Sequence, residues 1–260
     1  MLTRFALAAL FFLSALASGE AAASPITKTL TINVYQVCMT DGSNCAATGP
    51  GDPSQEFFAA STAKIWMQAG ISVLYNFVGE IHNSLFTNID DGVAGRTFDD
   101  LAHLGANYQS TTLVDMFLVH TVVGAYGEGW LGLGGLVMAM DTILGYAPGG
   151  RIDTMAHELG HNLGLVPPTD PNFDGSFHST DPNQLMASGG IRHIPLTLGD
   201  INPDGLGYDQ LSENQINVAR QSSLLRDVDV AAVPEPASLA LMFASLASLL
   251  LLVRRRRDLA

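Results

Sequence analysis

Residues 157–168, "HELGHNLGLVPP", combine two histidines and a glutamate at helical spacing. His157 and His161 stand four residues apart, so on a helix they share one face and can bind the same metal ion. Glu158 lies beside that face, where a carboxylate can activate a metal-bound water. Because catalytic zinc usually takes three protein ligands, the pattern predicts a third ligand elsewhere in the chain.

A helix from about Arg151 to Gly164 is predicted to carry this pattern. Glycines stand on both sides of it, at Gly149, Gly150 and Gly164, and a run of apolar residues is available to face a core. Those apolar residues are Ile152, Met155, Leu159 and Leu163. A solvated helix with two unrelated histidines is the alternative interpretation.

The segment "HELGHNLGL" resembles the zinc helix of the metzincin metalloproteases, whose pattern is His-Glu-x-x-His-x-x-Gly-x-x-His, or Asp at the last place. His157, Glu158, His161 and Gly164 match this pattern, but its last place falls on Pro167, whose side chain cannot bind a metal. The resemblance implies an α+β fold of the zincin type. Such a fold has a mixed twisted β-sheet, an active-site helix and a loop-rich C-terminal subdomain that ends in a helix.

The third zinc ligand is predicted further along the chain, in "HSTDPNQLMASGG", which begins at His178 and reaches Met186 eight residues later. This run is similar to the third histidine and Met-turn of matrixin-type metzincins. The resemblance implies that eleven residues within 166–177 are inserted before His178, and that Met186 lies beneath the zinc. Asp170 and Asp174 are alternative ligands, since zinc also accepts carboxylate oxygens.

Two loops have the Asp-x-Asn-x-Asp-Gly spacing of a calcium site, "DPNFDG" (170–175) and "DINPDG" (200–205). Oxygen donors at alternate positions before a glycine turn suit calcium, although neither loop has the glutamate that completes an EF-hand. Polar turn residues explain both runs equally well. The residues concerned are Asp170, Asn172, Asp174, Asp200, Asn202 and Asp204.

The two ends of the chain have the character of targeting segments. Residues 1–23 contain a positive charge, the apolar run "FALAALFFLSALA" (5–17) and then small residues, which is the order of a secretory signal peptide. Cleavage is expected after Ala23, with Ala17 as the other candidate site. An uncleaved N-terminal anchor is the alternative.

Residues 233–260 combine Pro234-Glu235-Pro236, an uncharged apolar stretch at 237–253 and the cluster Arg254–Arg257. The apolar stretch is near the minimum length of a membrane span, and the arginines are typical of its cytoplasmic side. This combination resembles the PEP-CTERM sorting signal of Gram-negative bacteria. The resemblance implies export across the inner membrane, processing by an exosortase-type enzyme and release at the cell surface or beyond. A plain C-terminal anchor predicts the same topology.

The body between these segments, residues 24–232, is long enough for one domain and is strongly acidic. Removing both ends takes away five arginines and three acids, so the formal charge changes from −13 to −15. Such a charge argues against nucleic acid as a partner and suits an exported or calcium-binding protein. We expect a monomer that meets the membrane only through the sorting tail. Cys38 and Cys45 are expected to form a local disulfide.

Alternating and apolar runs predict strands at 29–38, 71–78 and 113–123. Asp52 and Pro53 predict the start of a helix that runs to Gly70. A final helix is predicted at 211–225, with a capping box formed by Ser212 and Gln215. By resemblance to metzincins, the strand near 132–140 would be the sheet edge that pairs with an extended peptide substrate.

These features together predict an exported zinc endopeptidase that hydrolyses peptide bonds with a zinc-bound water. Glu158 would take a proton from that water and pass it to the leaving amine. One alternative is a catalytically silent zinc- or calcium-binding protein of the cell surface or extracellular matrix, built on the same fold. Another is a hydrolase that acts on a non-peptide amide.

Overall fold

The computed structural model describes residues 25–166 and 177–228 of the chain. The predicted signal peptide, the sorting tail with its apolar stretch at 237–253, and the 170–175 loop lie outside these residues. The described residues up to Asp227 belong to one compact unit. None of the helices in the described ranges is long and apolar enough to cross a membrane.

Eight strands and five α-helices make up the described structure. The strands are β1 (Lys28–Cys38), β2 (Ile71–His82), β3 (Asn88–Ile89), β4 (Val114–Val119), β5 (Thr121–Val122), β6 (Gly127–Gly129), β7 (Leu136–Ala139) and β8 (Leu225–Asp227). The α-helices are α1 (Ala59–Met67), α2 (Phe98–Ala102), α3 (Met140–Leu144), α4 (Thr154–Asn162) and α5 (Glu213–Ala219). Short 3₁₀ helices occupy Pro53–Phe58, Ser84–Thr87 and Leu198–Asp200.

The main sheet is mostly parallel, with strand order β2-β1-β4-β7-β6. Strands β2, β1, β4 and β7 run in the same direction, whereas β6 is antiparallel to β7. Strand β8 returns to pair antiparallel with the start of β1. The structure is therefore a mixed α/β fold with a mostly parallel sheet. The predicted strands at 29–38 and 71–78 correspond to β1 and β2, whereas the predicted strand at 113–123 divides into β4 of this sheet and β5, which pairs with β3 in a separate two-stranded sheet.

Both faces of this sheet are covered, and β4 and β7 are buried along their whole length. Alternate residues of β1 enter different cores: Leu30, Ile32 and Val34 pack with α1 and α4, and Tyr35 and Val37 pack with α2. A shift of register against β2 occurs between Val34 and Tyr35. The zinc-motif helix α4 thus packs on one face of the sheet as part of the larger core.

The predicted helix from Pro53 to Gly70 is wrong as a single helix. Asp52 caps its start as expected, its side chain accepting a hydrogen bond from Ser54 N, but Phe57 and Phe58 then have left-handed φ values of 54° and 52°. Phe58 enters the core, while Phe57 stacks on Tyr75 with ring centroids 5.9 Å apart. Because these two adjacent rings pack against different neighbours, the predicted helix is interrupted here, and α1 begins after the interruption.

The last helix of the described chain is shorter than predicted. Helix α5 has the predicted capping box, in which the Ser212 and Gln215 side chains each accept from the other residue's backbone N–H. The helix ends at Ala219 rather than near 225, and β8 follows it. The pairing of Leu225 with Leu30 is a long-range contact that local pattern does not reveal.

The predicted edge strand near 132–140 is also wrong. Strand β7 lies between β4 and β6, so among the described strands the edges of the main sheet are β6 and, on the other side, β2. Glycine explains this arrangement, because β6 runs very close to α4. A Cβ on Gly129 would lie 2.7 Å from the backbone oxygen of Glu158, and one on Gly127 would lie 3.1 Å from Glu158 Cγ.

Cys38 and Cys45 form the predicted local disulfide. It joins the end of β1 to the loop that follows, and Ala46 N donates a hydrogen bond to the Val37 carbonyl beside it. The disulfide therefore holds this loop against the carboxyl end of the central strand.

The close approach of β6 to α4 generates a stability prediction. Gly129→Ala should lower the free energy of unfolding by about 1–3 kcal/mol, because the new methyl group cannot fit beside the Glu158 carbonyl. Gly190→Ala is the matched control, since a Cβ there would meet nothing within 4 Å. Urea unfolding of both variants measures the difference, and equal stability of the two would contradict the close approach.

Candidate active site

Helix α4 is buried along its entire length, and every one of its nine residues is inaccessible to solvent or nearly so. It ends in a Schellman motif at Gly164, where φ is +90°. Gly164 N donates to the His161 carbonyl (3.0 Å) and Leu165 N to the Gly160 carbonyl (2.9 Å). The glycine of the sequence motif is therefore the residue that turns the chain away after the second histidine.

A side chain on α4 attaches the helix to the β6–β7 connection. Asn162 Nδ2 donates to the carbonyls of Trp130 (2.9 Å) and Gly135 (2.8 Å). Gly132 N in turn donates to the His161 carbonyl at 2.9 Å. These bonds fix the position of the histidine-bearing helix relative to the sheet edge.

The segment after His178 folds back to bring that histidine to the helix. Ser179 pairs with Ala187 in an isolated bridge, and Ser179 N donates to the Met186 carbonyl at 2.7 Å. The Ser179 hydroxyl donates to Gln184 Oε1 at 2.8 Å. Residues 179–187 thus form a closed loop, with His178 at its entrance and Met186 at its exit.

The structure brings His157, His161 and His178 together, with one ligand atom from each ring within 4.8 Å of the others. The centroids of the three rings are 5.0–5.4 Å apart. His157 Nδ1 donates to the Leu185 carbonyl at 2.7 Å, which leaves Nε2 available as a ligand. His161 Nδ1 is buried and has no hydrogen-bond partner among the described residues. Three imidazoles with these properties fit zinc.

Burial keeps the histidines in the neutral form that binds metal. It lowers the pKa of His161 to about 4, with a further contribution from His178. The pKa of His157 is held well below its ordinary value, mainly by burial and then by the charge of Arg192. Protons therefore compete weakly for these two ligands at neutral pH.

Met186, the methionine of the predicted Met-turn, is completely buried. It packs against the middle of α4, where a Cβ on Gly160 would clash with its sulfur, so the lack of a side chain at Gly160 makes room for it. Asp170 and Asp174, the alternative ligands, lie outside the described residues.

Glu158 lies at the wall of a cleft of about 350 Å³ that His157, His161 and His178 also line. Its side chain is 7% exposed and makes no hydrogen bond within the part of the chain that the structure describes. Burial raises its pKa to about 7, although the nearby charges of Arg192 and Arg151 act in the opposite direction. A carboxylate in this setting can both accept and release a proton near neutral pH.

The cleft contains a second acid that sequence reasoning missed, Glu128 of β6. Burial raises its pKa to about 8, and the Asp91 carboxyl, within hydrogen-bonding reach, adds to this shift. Glu128 is therefore largely protonated at pH 7 and can donate a hydrogen bond to Asp91. Its role was difficult to predict from sequence, since Glu128 lies in a glycine-rich run with no recognisable motif.

Three buried charged residues were also missed: Arg151, Asp153 and Arg192. Asp153 precedes α4, and its carboxylate lies 2.9 Å from Arg192 Nε and 3.5 Å from Arg151 Nε. Arg192 Nη1 donates to the Leu185 carbonyl (2.6 Å) and lies against His157 Nδ1. The sequence contained one signal for the two arginines, namely that positive charges are scarce in the acidic body. Only seven of the twelve lysines and arginines belong to it.

The structure does not support the predicted calcium loop at 200–205. Asp200 accepts hydrogen bonds from its preceding turn, including Thr197 N at 2.8 Å. Asn202 Nδ2 donates to Gln68 (2.7 Å), and Asp204 forms an ion pair with Lys64 (2.6 Å). The three side chains are satisfied by different protein partners, so ordinary turn chemistry explains the run.

The sequence matches no protein-family model and no curated protein. Its structure is similar to part of a chaperone–substrate complex at 13% identity, covering 77% of this chain and 35% of that chain, with a TM-score of 0.40. It is similar to archaemetzincin from Methanopyrus kandleri at 12% identity, covering 75% and 95%, with a TM-score of 0.41. A zinc-dependent peptidase from Methanocorpusculum labreanum is similar at 11% identity, covering 72% and 99%, with a TM-score of 0.39. At this level of similarity, functional assignment depends on the chain's own site residues.

Glu128 generates a pH prediction. Because its folded pKa lies near 8, above the ordinary 4.5, its contribution to stability is full below about pH 4.5 and is lost as pH rises to about 8. Glu128→Gln has no such proton to lose. The unfolding free energy of wild type should therefore fall, relative to that of the variant, between pH 5 and pH 8.

Exposed Glu56→Gln is the control for this comparison, and thermal or urea unfolding at several pH values measures the effect. If wild type and Glu128→Gln showed parallel pH profiles, Glu128 would be ionised throughout that range and the assignment of its proton would be wrong.

Proposed function

We propose that this chain is an exported zinc-dependent endopeptidase, with His157, His161 and His178 as zinc ligands and Glu158 as the general base. The observation that carries the proposal is the meeting of three imidazoles, from a buried helix and a separate loop, beside a buried carboxyl that lines the same cleft. Two of these histidines share one helix face by spacing alone. The third arrives only through the fold, which makes a chance grouping a poor explanation.

The chain's own residues would divide the chemistry in a simple way. Zinc, when bound, supplies positive charge that polarises the scissile carbonyl and makes water more acidic. Glu158 would accept a proton from the attacking water and pass it to the leaving amine. Burial of the Glu158 carboxyl favours this proton transfer, because the carboxyl makes no competing hydrogen bond to the described residues.

Strand β6 is suited to hold an extended peptide. It is one of the two edges of the main sheet among the described strands, so its outer N–H and C=O groups can pair with another strand. Gly127 and Gly129 carry no side chains that would hold a substrate away from Glu158, which packs against both of them. A peptide paired with β6 would therefore pass beside the general base.

The proposal includes export and sorting at the cell surface. Support comes from the signal-like order of parts in residues 1–23 and the PEP-CTERM-like tail at 233–260. The Cys38–Cys45 disulfide adds a structural reason, because such bonds persist in oxidising compartments. An exosortase-type enzyme would then be the processing partner of the tail.

The assignment of the third ligand predicts a specific loss of zinc. His178→Ala should reduce bound zinc well below one per chain, because two imidazoles alone form an incomplete site. Asp170→Ala and Asp174→Ala should each keep one zinc per chain. Metal analysis after dialysis against a weak chelator measures this, and zinc loss in an aspartate variant with retention in His178→Ala would overturn the assignment.

The role of Glu158 predicts a loss of activity without a loss of metal. Glu158→Gln should bind one zinc per chain yet cleave an unfolded protein about 10²–10⁴-fold more slowly, as expected for a missing general base. Cleavage of a denatured, reduced substrate by the full chain measures the rate. Zinc-loaded wild type without cleavage would favour the non-catalytic zinc protein instead.

A further inference from the structure

Two guanidinium groups line the proposed catalytic cleft beside the histidines and Glu158. Arg151 lies just before α4 and Arg192 follows the Met186 loop, and their exposed fractions are only 4% and 7%. Arginine is rarely so deeply buried unless every part of its charge is paired.

The two arginines differ at their terminal nitrogens. Both Nε atoms lie near Asp153, at 2.9 Å for Arg192 and 3.5 Å for Arg151, and neither makes a hydrogen bond to it. Arg192 Nη1 donates to the carbonyls of Leu185 and Ala187. The terminal nitrogens of Arg151 donate to no residue in the described ranges.

The surroundings of Arg151 hold its guanidinium group in place without neutralising it. Its Cζ lies 4.4 Å from the centre of the Tyr126 ring and 5.8 Å from that of Tyr146, so the aromatic faces support the cation. Asp153 is shared with Arg192. Asp209 is buried nearby, but burial raises its pKa well above the ordinary value and favours its neutral form.

Gly189 leaves the terminal nitrogens of Arg151 within reach of the cleft. A Cβ at this position would lie 3.2 Å from Nη1 and 3.3 Å from Nη2, so any side chain there would stand directly on the guanidinium group. Gly189 itself lines the cleft. An incoming group can therefore occupy the space that a residue-189 side chain would fill.

We propose that Arg151 is the centre of a carboxylate-binding subsite of the cleft, which takes an acidic side chain or a free C-terminus of the peptide substrate. A guanidinium group with two unused terminal nitrogens matches a carboxylate in a bidentate arrangement. Glu128 and Glu158 line the same cleft, so a substrate carboxylate strengthens binding only at the position where it contacts Arg151. The preference is therefore confined to one substrate position. This inference rests on the proposed peptidase function.

The test uses the full chain with zinc bound and a series of amide-capped peptides. A single Glu, Gln or Lys is moved through each position, and a parallel series has free C-termini. Cleavage should be at least about tenfold faster with Glu than with Gln at one position, or with a free C-terminus than with an amide, since each tenfold corresponds to only about 1.4 kcal/mol. The first result identifies an acidic side chain as the ligand, and the second identifies the terminus.

Gly189→Asp and Gly190→Asp provide matched variants that add the same charge at neighbouring positions and leave Arg151 itself in place. At residue 189 the aspartate would place a carboxylate on Arg151 and should abolish the preference, whereas at residue 190, where a Cβ would meet nothing within 4 Å, it should leave the preference in place. A preference that survives in Gly189→Asp would come from zinc or another group and would overturn the subsite. Equal cleavage of the Glu, Gln and Lys peptides at every position, with either C-terminus, would also overturn it.

Binding to Glu158→Gln separates this inference from the proposed activity. Fluorescent versions of the same peptides are titrated into the zinc-loaded variant, and anisotropy gives affinity without turnover. Tighter binding of the carboxylate-bearing peptide, lost with Gly189→Asp added, supports the subsite even if wild type cleaves nothing. Charge-independent binding, with cleavage by wild type, overturns the subsite and keeps the peptidase.

Discussion

The hydrogen bond from His157 Nδ1 to the Leu185 carbonyl is the interaction on which the site depends. It joins the buried helix to the loop that carries Met186, and it selects the ring nitrogen left for a metal. Arg192 donates to the same carbonyl and reaches back to Asp153 at the start of the helix. Helix and loop are thus connected at two points, and the third histidine enters through that loop.

Burying this network has a physical cost that the surrounding packing must offset. Ion pairs removed from water recover their desolvation energy only where geometry is good, and Asp153 is shared between two guanidinium groups. The larger core lies directly beneath, with Met155, Leu159 and Met186 fully or almost fully buried. Apolar burial stabilises the fold, while the charged groups position the histidines and leave Arg151 incompletely paired.

Close packing around α4 also explains why the site region is rich in glycine. Gly127 and Gly129 allow the edge strand to lie on Glu158, and Gly160 allows the Met186 side chain to pack against the helix. Each glycine removes a side chain where two backbones or a backbone and a sulfur meet. The same principle operates at Gly189, where the space is open to the cleft instead of filled by the protein.

Local features of this protein were readable from sequence because they depend on neighbours in the chain. Helical spacing placed His157 and His161 on one face, alternating or apolar runs marked β1, β2 and β4, and the Ser212–Gln215 capping box marked the start of α5. The resemblance to metzincins added His178 and Met186. At Phe57 and Phe58 two adjacent side chains pack against different neighbours, and here the local pattern predicted one continuous helix where the structure has a break.

Sequence by itself determined the helix with its two histidines and glutamate, the central strands and the short-range disulfide, because each follows from periodicity or proximity along the chain. Tertiary structure alone decided that His178 meets the other histidines, that β6 rather than β7 forms the edge, and that Arg151, Arg192 and Glu128 enter the cleft. These facts depend on contacts between distant segments. Desolvation and charge pairing, which have no local sequence signature, then set the properties of the groups brought together.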